Sequence, residues 1–191
     1  MPLTKPRSMN LTSDTAGTLA HSLSDADAQP SLLRGFPPVY RADARVLILG
    51  SLPGAQSLAL QRYYGNPRNQ FWQLVGSVLD TNLAAMDYEH RLACLIAHGI
   101  ALWDVVAAGH RKGSLDSELR MAERSNLAGL MAKLPALRAI AFNGQLAAQQ
   151  AEGSGTKLEI LRLPSSSPAN TASVALKQAK WNEIGRYLAR G

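Results

Sequence analysis

Cysteine is almost absent from the chain, which has only Cys94 among its 191 residues. An intrachain disulfide, a cysteine-based zinc site and a four-cysteine iron–sulfur cluster are therefore excluded. Because Cys94 lies in an apolar helical stretch, we expect it to be a buried small hydrophobe and not a nucleophile. Apolar runs as long as a membrane span and the apolar region of a secretory signal are also lacking. We therefore expect a cytoplasmic protein with no membrane partner.

Charged residues are few, at 18%, and apolar residues reach 46%, which is the composition of a globular protein. The length suits one domain and is too short for two ordinary ones. The formal net charge is +6, and residues 1–30 carry more acidic than basic side chains, so the positive charge belongs to the remainder. A basic domain favours a polyanionic partner, although many basic proteins bind no nucleic acid.

Residues 1–30 are rich in Ser, Thr, Ala, Asp and Pro and have no sustained hydrophobic period. They are expected to form a disordered or loosely packed tail, and residues 31–191 the folded domain. In that domain short apolar runs alternate with helical patterns. The predicted strands are 45–50, 100–106, 137–143 and 157–163, and the predicted helices are 69–80, 87–98, 115–134, 144–152 and 172–189.

Strands that alternate with helices predict a three-layer α/β/α sandwich with a central, mostly parallel four-stranded sheet. Functional groups gather beyond the carboxyl ends of the strands in such a sheet. The segments that follow those ends are polar, and three of the four contain glycine: 51–69, 104–113, 143–144 and 165–170. The pattern predicts a single site at this edge.

The first of these segments begins Gly50-Ser-Leu-Pro-Gly54. Glycines let a backbone turn tightly and approach a ligand, and free amides can bind an anion or a carbonyl oxygen. The spacing matches neither a Walker A loop nor a dinucleotide fingerprint. On its own the turn fits an ordinary connection equally well.

The same segment continues as Tyr63-Tyr-Gly-Asn-Pro-Arg-Asn-Gln-Phe-Trp72, with Arg62 beside it. Aromatic faces interleaved with arginines suit a stacked base and nearby phosphates. We expect one of the two tyrosines only to pack the loop onto the sheet. Asn69 either caps the following helix or uses its amide to orient a water or to bind a base edge.

These motifs resemble the uracil-DNA glycosylase superfamily, and most of all its hypoxanthine (deoxyinosine) DNA glycosylase branch. The likeness covers about residues 40–190. It lies in the Gly50–Gly54 turn, the run from Tyr64 to Trp72, Leu102-Trp-Asp-Val105, Gly113-Ser-Leu-Asp116 and Ser165-Ser-Ser-Pro-Ala-Asn170. The resemblance implies an α/β fold and removal of a deaminated base from DNA.

Two departures from related branches limit which residues can be carried over. Ser51, a poor general base, stands where relatives place Asn or Asp, and Ser165–Ser167 stand where uracil-specific enzymes carry a histidine. In the hypoxanthine branch the catalytic Asn is that of Asn-x-Phe-Trp, which is Asn69 here. The resemblance therefore implies Asn69 and Ser51 as the catalytic pair, with Ser51 acting through backbone contacts.

The remaining site residues follow from the resemblance and from the positions of polar residues after the strands. Tyr64 is expected to stack on the base, and Asn143 either reads the base edge or caps a turn. Asp104 acts as a base, orients another group or caps the next turn. The other expected substrate-binding residues are Gly50, Leu52, Pro53, Gly54, Ser166, Ser167, Pro168 and Asn170. Predicted contacts to the DNA backbone are Arg68, His110, Arg111 and Lys112, although a merely solvated basic loop also explains the last three.

The resulting hypothesis is a monofunctional DNA glycosylase, acting as a monomer without cofactor or metal, that hydrolyses hypoxanthine from DNA. Uracil is the alternative substrate. An inactive DNA- or nucleotide-binding module on the same fold is the alternative function, because both usual catalytic residues of related branches are missing. No lysine lies in the first motif, so a Schiff-base lyase is not expected.

Overall fold

The computed structural model describes residues 32–111, 119–149 and 158–189. The predicted tail, residues 1–30, lies outside this range, as does Lys112. The strands in chain order are β1 (Leu32–Arg34), β2 (Val46–Gly50), β3 (Ile100–Asp104), β4 (Val106–Arg111), β5 (Leu119–Arg124), β6 (Ala139–Asn143) and β7 (Glu159–Leu163). The α-helices are α1 (Ala55–Leu60), α2 (Phe71–Val78), α3 (Tyr88–Ala97), α4 (Leu127–Met131), α5 (Gln145–Gln149), α6 (Val174–Trp181) and α7 (Gly185–Leu188).

Four strands form a parallel sheet in the order β3-β2-β6-β7. Every residue of β2 is buried, because neighbouring strands lie on both sides and helices cover both faces. The register places Val46 between Ile100 and Ala139. The predicted architecture, an α/β/α sandwich around four parallel strands, is confirmed.

The two faces of the sheet pack into two separate hydrophobic clusters. Val46 and Ile48 lie in a first cluster with Phe71 of α2 and Trp181 of α6. The alternate residues of the same strand belong to a second cluster, which includes side chains of α4 and α5. Because side chains alternate between faces along a strand, one apolar run supplies both cores.

A second, antiparallel sheet, β1-β4-β5, was not expected from the sequence. Residues 109–113 were predicted as a basic loop, but β4 continues to Arg111. Residues 115–134 were predicted to be mostly helical. The described part instead forms β5 and then the short helix α4. Both predictions were wrong.

Long-range pairing explains this difference. The sequence of β5, Leu-Arg-Met-Ala-Glu-Arg, is made of good helix formers, and five of its six residues are exposed. Its strand conformation comes from the ladder with β4, in which His110 faces Arg120 and Arg111 faces Leu119. Propensity is a weak guide where such pairing competes with it.

Cys94 lies half-buried on α3 against the first core cluster, so it is less buried than predicted. Burial raises the pKa of its thiol, which disfavours the nucleophilic thiolate at neutral pH. The longest described helix, α3, has ten residues. No helix within the described ranges is long and apolar enough to cross a membrane.

Candidate active site

The strands of the parallel sheet end together at one edge, as the sequence predicts. There β2 ends at Gly50, β3 at Asp104 and β6 at Asn143. The side chain of Asn143 hydrogen-bonds both Tyr64 and Ser166. The loops after β2 and β7 therefore meet at the end of β6, and Asp104 brings the start of the fourth predicted segment beside Gly50.

Gly50 is glycine because two side chains approach its Cα closely. A Cβ added there would lie 2.5 Å from Asp104 Oδ1 and 3.1 Å from the Tyr64 hydroxyl. Gly54 differs, since its φ of −67° is ordinary and a Cβ would meet nothing within 4 Å. The predicted steric need for glycine therefore holds at Gly50 and not at Gly54, which caps α1.

Tyr64 forms a fixed aromatic platform. Its ring stacks on the Phe71 ring with a centroid distance of 3.7 Å and an interplanar angle of 7°. Phe71 is fully buried, so it supports Tyr64 from the core. Tyr64 also has a φ of 51°, a left-handed conformation that costs a side-chain-bearing residue about 1–2 kcal/mol. Strain of this kind persists where the surroundings enforce it, commonly at functional sites.

Tyr63 packs the same loop onto the body of the protein, as predicted for one of the two tyrosines. It is 3% exposed and makes an edge contact with Phe36. Its hydroxyl lies 3.4 Å from the Phe36 carbonyl oxygen and 3.3 Å from that of Pro37. Burial, followed by the charge of Asp104, raises the pKa of Tyr63 far above its usual value.

Asn143 has its amide oriented by three hydrogen bonds. Nδ2 donates to the Tyr64 hydroxyl at 3.0 Å and to Ser166 Oγ at 2.9 Å, and Oδ1 accepts from the Ser166 backbone N–H at 2.9 Å. Both amide hydrogens are thus used, and Oδ1 keeps a second lone pair. Asn143 and Ser166 are 8% and 0% exposed, so this network lies in the interior of the site.

Asn69 uses only the oxygen of its side-chain amide to cap the start of α2. Oδ1 accepts the Phe71 backbone N–H at 3.0 Å, which fixes the amide orientation. Nδ2 has no hydrogen-bond partner among the described residues. Asn69 is half-buried and directly precedes Gln70, whose N–H donates to the Ser166 carbonyl oxygen at 3.0 Å. An amide donor is therefore left over beside the aromatic platform.

Lys177 links two segments that border the site, and sequence reasoning missed it. Its Nζ donates to Gln70 Oε1 at 2.8 Å and to the Asn170 carbonyl oxygen at 2.7 Å. The side chain is 1% exposed, and burial lowers its pKa. It joins the start of α2 to the loop after β7. A signal was present, because Lys177 lies three residues after Val174 and four before Trp181, on the apolar stripe of α6.

The loop after β7 surrounds Ser166 with more exposed residues. Ser167 is half-buried and Pro168 is exposed. Asn170 Nδ2 donates to the Ser165 carbonyl oxygen at 3.0 Å, which closes the loop on itself. Ser166 therefore belongs to the interior of the site, whereas Ser167 and Pro168 lie toward solvent.

Arg111 does not lie where a contact to the DNA backbone requires. It is 6% exposed, and its guanidinium donates to the carbonyl oxygens of Leu52 at 3.3 Å and Pro53 at 2.5 Å. The predicted phosphate contact is corrected accordingly, because β4 turns this side chain under the first loop. The Leu52 side chain packs into the second core cluster. Leu52 and Pro53 thus present their carbonyls to Arg111.

The other predicted backbone contacts are dispersed. His110 is half-buried on β4, beside Leu32 and Arg120 of the antiparallel sheet. Arg68 is exposed in the loop before α2. Lys112 lies outside the described residues. Of the three that the structure describes, only Arg68 is exposed.

The first motif is anchored to β4 through its backbone. The carbonyl oxygens of Gly50 and Ser51 accept the N–H groups of Val105 at 2.9 Å and Val106 at 3.0 Å. Ser51 is 8% exposed and Asp104 is 4% exposed. Asp104 therefore places a buried carboxylate above Gly50, next to the Tyr64 hydroxyl.

This geometry defines a class of protein, an α/β sandwich whose strand-end site joins an aromatic platform to amide groups suited to a nucleobase. The family model described as the uracil DNA glycosylase superfamily matches residues 37–189. The chain belongs to the uracil DNA glycosylase superfamily.

Curated relatives give a finer comparison. The chain is 42% identical over 157 residues to a hypoxanthine DNA glycosylase of Methanosarcina acetivorans, covering 81% of this chain and 98% of the relative. It is 38% identical over 155 residues to a hypoxanthine DNA glycosylase of Methanosarcina barkeri, covering 78% and 96%. A solution NMR structure of a uracil DNA glycosylase candidate from Methanosarcina acetivorans superposes with a TM-score of 0.74 at 42% identity. That match covers 83% of this chain and 99% of the other.

Proposed function

We propose that this protein is a monofunctional DNA glycosylase that hydrolyses the N-glycosidic bond of deoxyinosine and releases hypoxanthine. The observation that carries the proposal is an Asn69 Nδ2 with no partner among the described residues, in the same short segment as the Tyr64 platform, whose hydroxyl accepts from the Asn143 amide. The similarity to two hypoxanthine DNA glycosylases supports the choice of base. The working form is proposed to be a monomer that binds DNA containing the damaged base.

Breaking the bond generates an oxocarbenium-like sugar and negative charge on the departing base. Water adds to C1′, the C1′–N9 bond breaks, and the base leaves with the bonding electron pair and takes up a proton. Because Asn69 Oδ1 is engaged by the Phe71 N–H, the group available to the substrate is its NH₂. Asn69 is therefore assigned to stabilise the leaving base by donation, an electrostatic role that needs no strong base.

Asn143 and Tyr64 are assigned to bind the flipped base. The second lone pair of Asn143 Oδ1 accepts the N1–H of hypoxanthine, whereas adenine carries a lone pair at that nitrogen. Uracil also presents an N–H beside a carbonyl, so uracil is the alternative substrate. Tyr64 offers the ring face that is not stacked on Phe71.

The surrounding loops are assigned to shape the pocket. Gly50 and Ser51 supply backbone contacts at its floor, and the Ser166–Asn170 loop borders it. Arg68 contacts the phosphate backbone, since it is exposed beside the site. Ser167 and Pro168, toward solvent at the rim, are assigned to pinch the DNA backbone or to fill the gap left by the flipped base.

The test is incubation with duplexes that contain one hypoxanthine, uracil or adenine at the same position, followed by measurement of alkali-labile abasic sites. We expect rapid formation of abasic sites at hypoxanthine and none at adenine. Asn69→Ala is expected to bind the hypoxanthine duplex and to lose most turnover. Binding of damaged DNA without release of either deaminated base would instead identify an inactive DNA-binding module.

A further inference from the structure

A cavity of about 660 Å³ adjoins the strand-end site. The two share the segment from Tyr64 to Gln70, but Gly50, Asn143 and Ser166 do not line the cavity. Its remaining walls come from the end of α1, from α2 and from α3 with the turn before it, and they include Arg62, Trp72, Gln73, Asp87, Tyr88 and Arg91. A cavity of this volume is in the range of small-molecule sites.

The cavity wall is positively charged. Arg62, Arg68 and Arg91 line it, and Asp87 is the one acidic residue among its lining residues. The Asp87 carboxylate already lies 2.6 Å from His90 Nδ1 and also accepts the His90 N–H, which lowers its pKa. The net lining charge therefore favours an anion such as a phosphodiester.

Two of these arginines lie over aromatic rings. The Arg62 guanidinium is 5.3 Å from the centroid of Tyr88, and that of Arg91 is 5.4 Å from Trp72. Arg91 is held there, because Nε donates to the Met86 carbonyl oxygen at 2.9 Å and Nη2 to another carbonyl at 3.0 Å. The wall thus carries preformed flat surfaces of the kind on which bases stack.

We infer that this cavity binds the nucleotide next to the target on the same DNA strand, with its base unstacked. Arginine side chains held over aromatic rings together match a phosphate and a base. The shared wall at Tyr64 and Asn69 favours a neighbour in the chain over a free nucleotide. This inference rests on the proposed glycosylase function, and it predicts a preference for single-stranded or locally melted DNA, where a flanking base unstacks cheaply.

The probe is a single-stranded oligonucleotide with one deoxyinosine whose 2′-fluoro sugar resists hydrolysis, since fluorine destabilises an oxocarbenium-like transition state. Two further versions replace the 5′ or the 3′ neighbour by a tetrahydrofuran unit, which keeps the phosphate and lacks the base. Binding is measured by fluorescence anisotropy. The unmodified protein is expected to bind one of the two base-less versions roughly tenfold more weakly, the loss of one stacked base.

Two variants examine the cavity without removing buried groups. Arg62→Ala deletes the exposed guanidinium over Tyr88, and Gln73→Glu adds a negative charge at nearly constant shape. Both are expected to bind the intact strand about tenfold more weakly and to be insensitive to the missing base. Arg186→Ala and Gln149→Glu make the same chemical changes at positions outside the cavity. Both are expected to keep the full loss of affinity for the base-less strand, which we call the flank effect.

An unchanged affinity for both base-less strands would overturn the inference, as would a flank effect that persists in both cavity variants. The proposed function is tested separately by hypoxanthine release from the cleavable strand. Hypoxanthine release without a flank effect would refute the proposed subsite and leave the glycosylase function standing. A flank effect without hypoxanthine release would refute the glycosylase function and leave the subsite as part of a DNA-binding module.

Discussion

Replacing Asn69 with aspartate separates the two hydrogen-bonding tasks of this side chain. In the structure Oδ1 accepts the Phe71 N–H at 3.0 Å, and Nδ2 is unused among the described residues. The Asn69→Asp substitution keeps an acceptor oxygen for the Phe71 N–H and removes the donor. A carboxylate near a helix N-terminus is also electrostatically favourable, so the substitution is expected to leave folding intact.

The magnitude follows from the single donor that is lost. Removing one preorganised donor to a developing negative charge typically lowers kcat by roughly 10²–10³, or about 2.7–4 kcal/mol in the transition state. Asn69→Asp should therefore lose a factor of roughly 10²–10³ in single-turnover hypoxanthine release. Asn69→Ala should lose a similar factor in rate and, in addition, about 1 kcal/mol of unfolding free energy because the cap is gone.

The assay combines single-turnover release from a hypoxanthine duplex with urea unfolding of the same preparations. The expected pattern is that both variants lose turnover and only Asn69→Ala loses stability. If Asn69→Asp releases hypoxanthine within a few-fold of the unmodified rate, the NH₂ is not the leaving-group donor. Turnover of Asn69→Ala would then distinguish a water-positioning oxygen, whose loss slows release, from a side chain that is only a cap.

Three further predictions concern the residues that hold the site together. Asn143→Ala should cost about 1–3 kcal/mol by leaving the buried Ser166 N–H unpaired, and should abolish base binding, as urea unfolding and anisotropy would detect. Gly50→Ala should lower turnover at least tenfold with little change in distant DNA contacts, because its Cβ meets Asp104 and Tyr64; a near-normal rate would contradict this. Burial lowers the pKa of Lys177 in the folded protein below its unfolded value of 10.5. Between these two pKa values the unfolded chain keeps a proton that the folded chain has lost. The contribution of Lys177 to the free energy of unfolding therefore rises with pH across this range. The stability difference between the unmodified protein and Lys177→Met should therefore shift in favour of the former as the pH is raised toward 10.5, whereas a constant difference would refute it.

The parallel sheet and the position of the site follow from local sequence. The run Val46–Gly50 is apolar on both faces, which is typical of a strand covered by helices on both sides. Parallel strands end at the same edge of the sheet, so the polar segments that follow them meet there. Asn143 and Tyr64 were predictable as site members for the same reason. Their mutual hydrogen bond was not, since it depends on side-chain positions 79 residues apart.

The antiparallel sheet and the role of Arg111 depend on tertiary pairing. The β5 sequence prefers helix, and only its ladder with β4 makes it a strand. Arg111 looks like a solvated cation in the run Gly109-His-Arg-Lys-Gly113, but the strand turns it beneath Leu52 and Pro53. Lys177 was missed because a lysine on an apolar stripe normally extends its charge to solvent.

Direct analysis of the products released from a hypoxanthine duplex tests the central claim most simply. Free hypoxanthine would be measured by mass spectrometry and abasic sites by alkaline cleavage of the same sample. We predict equal amounts of the two, with the strand uncut until alkali is added. A duplex that is bound but yields no free hypoxanthine would contradict the assignment of this site as a glycosylase centre.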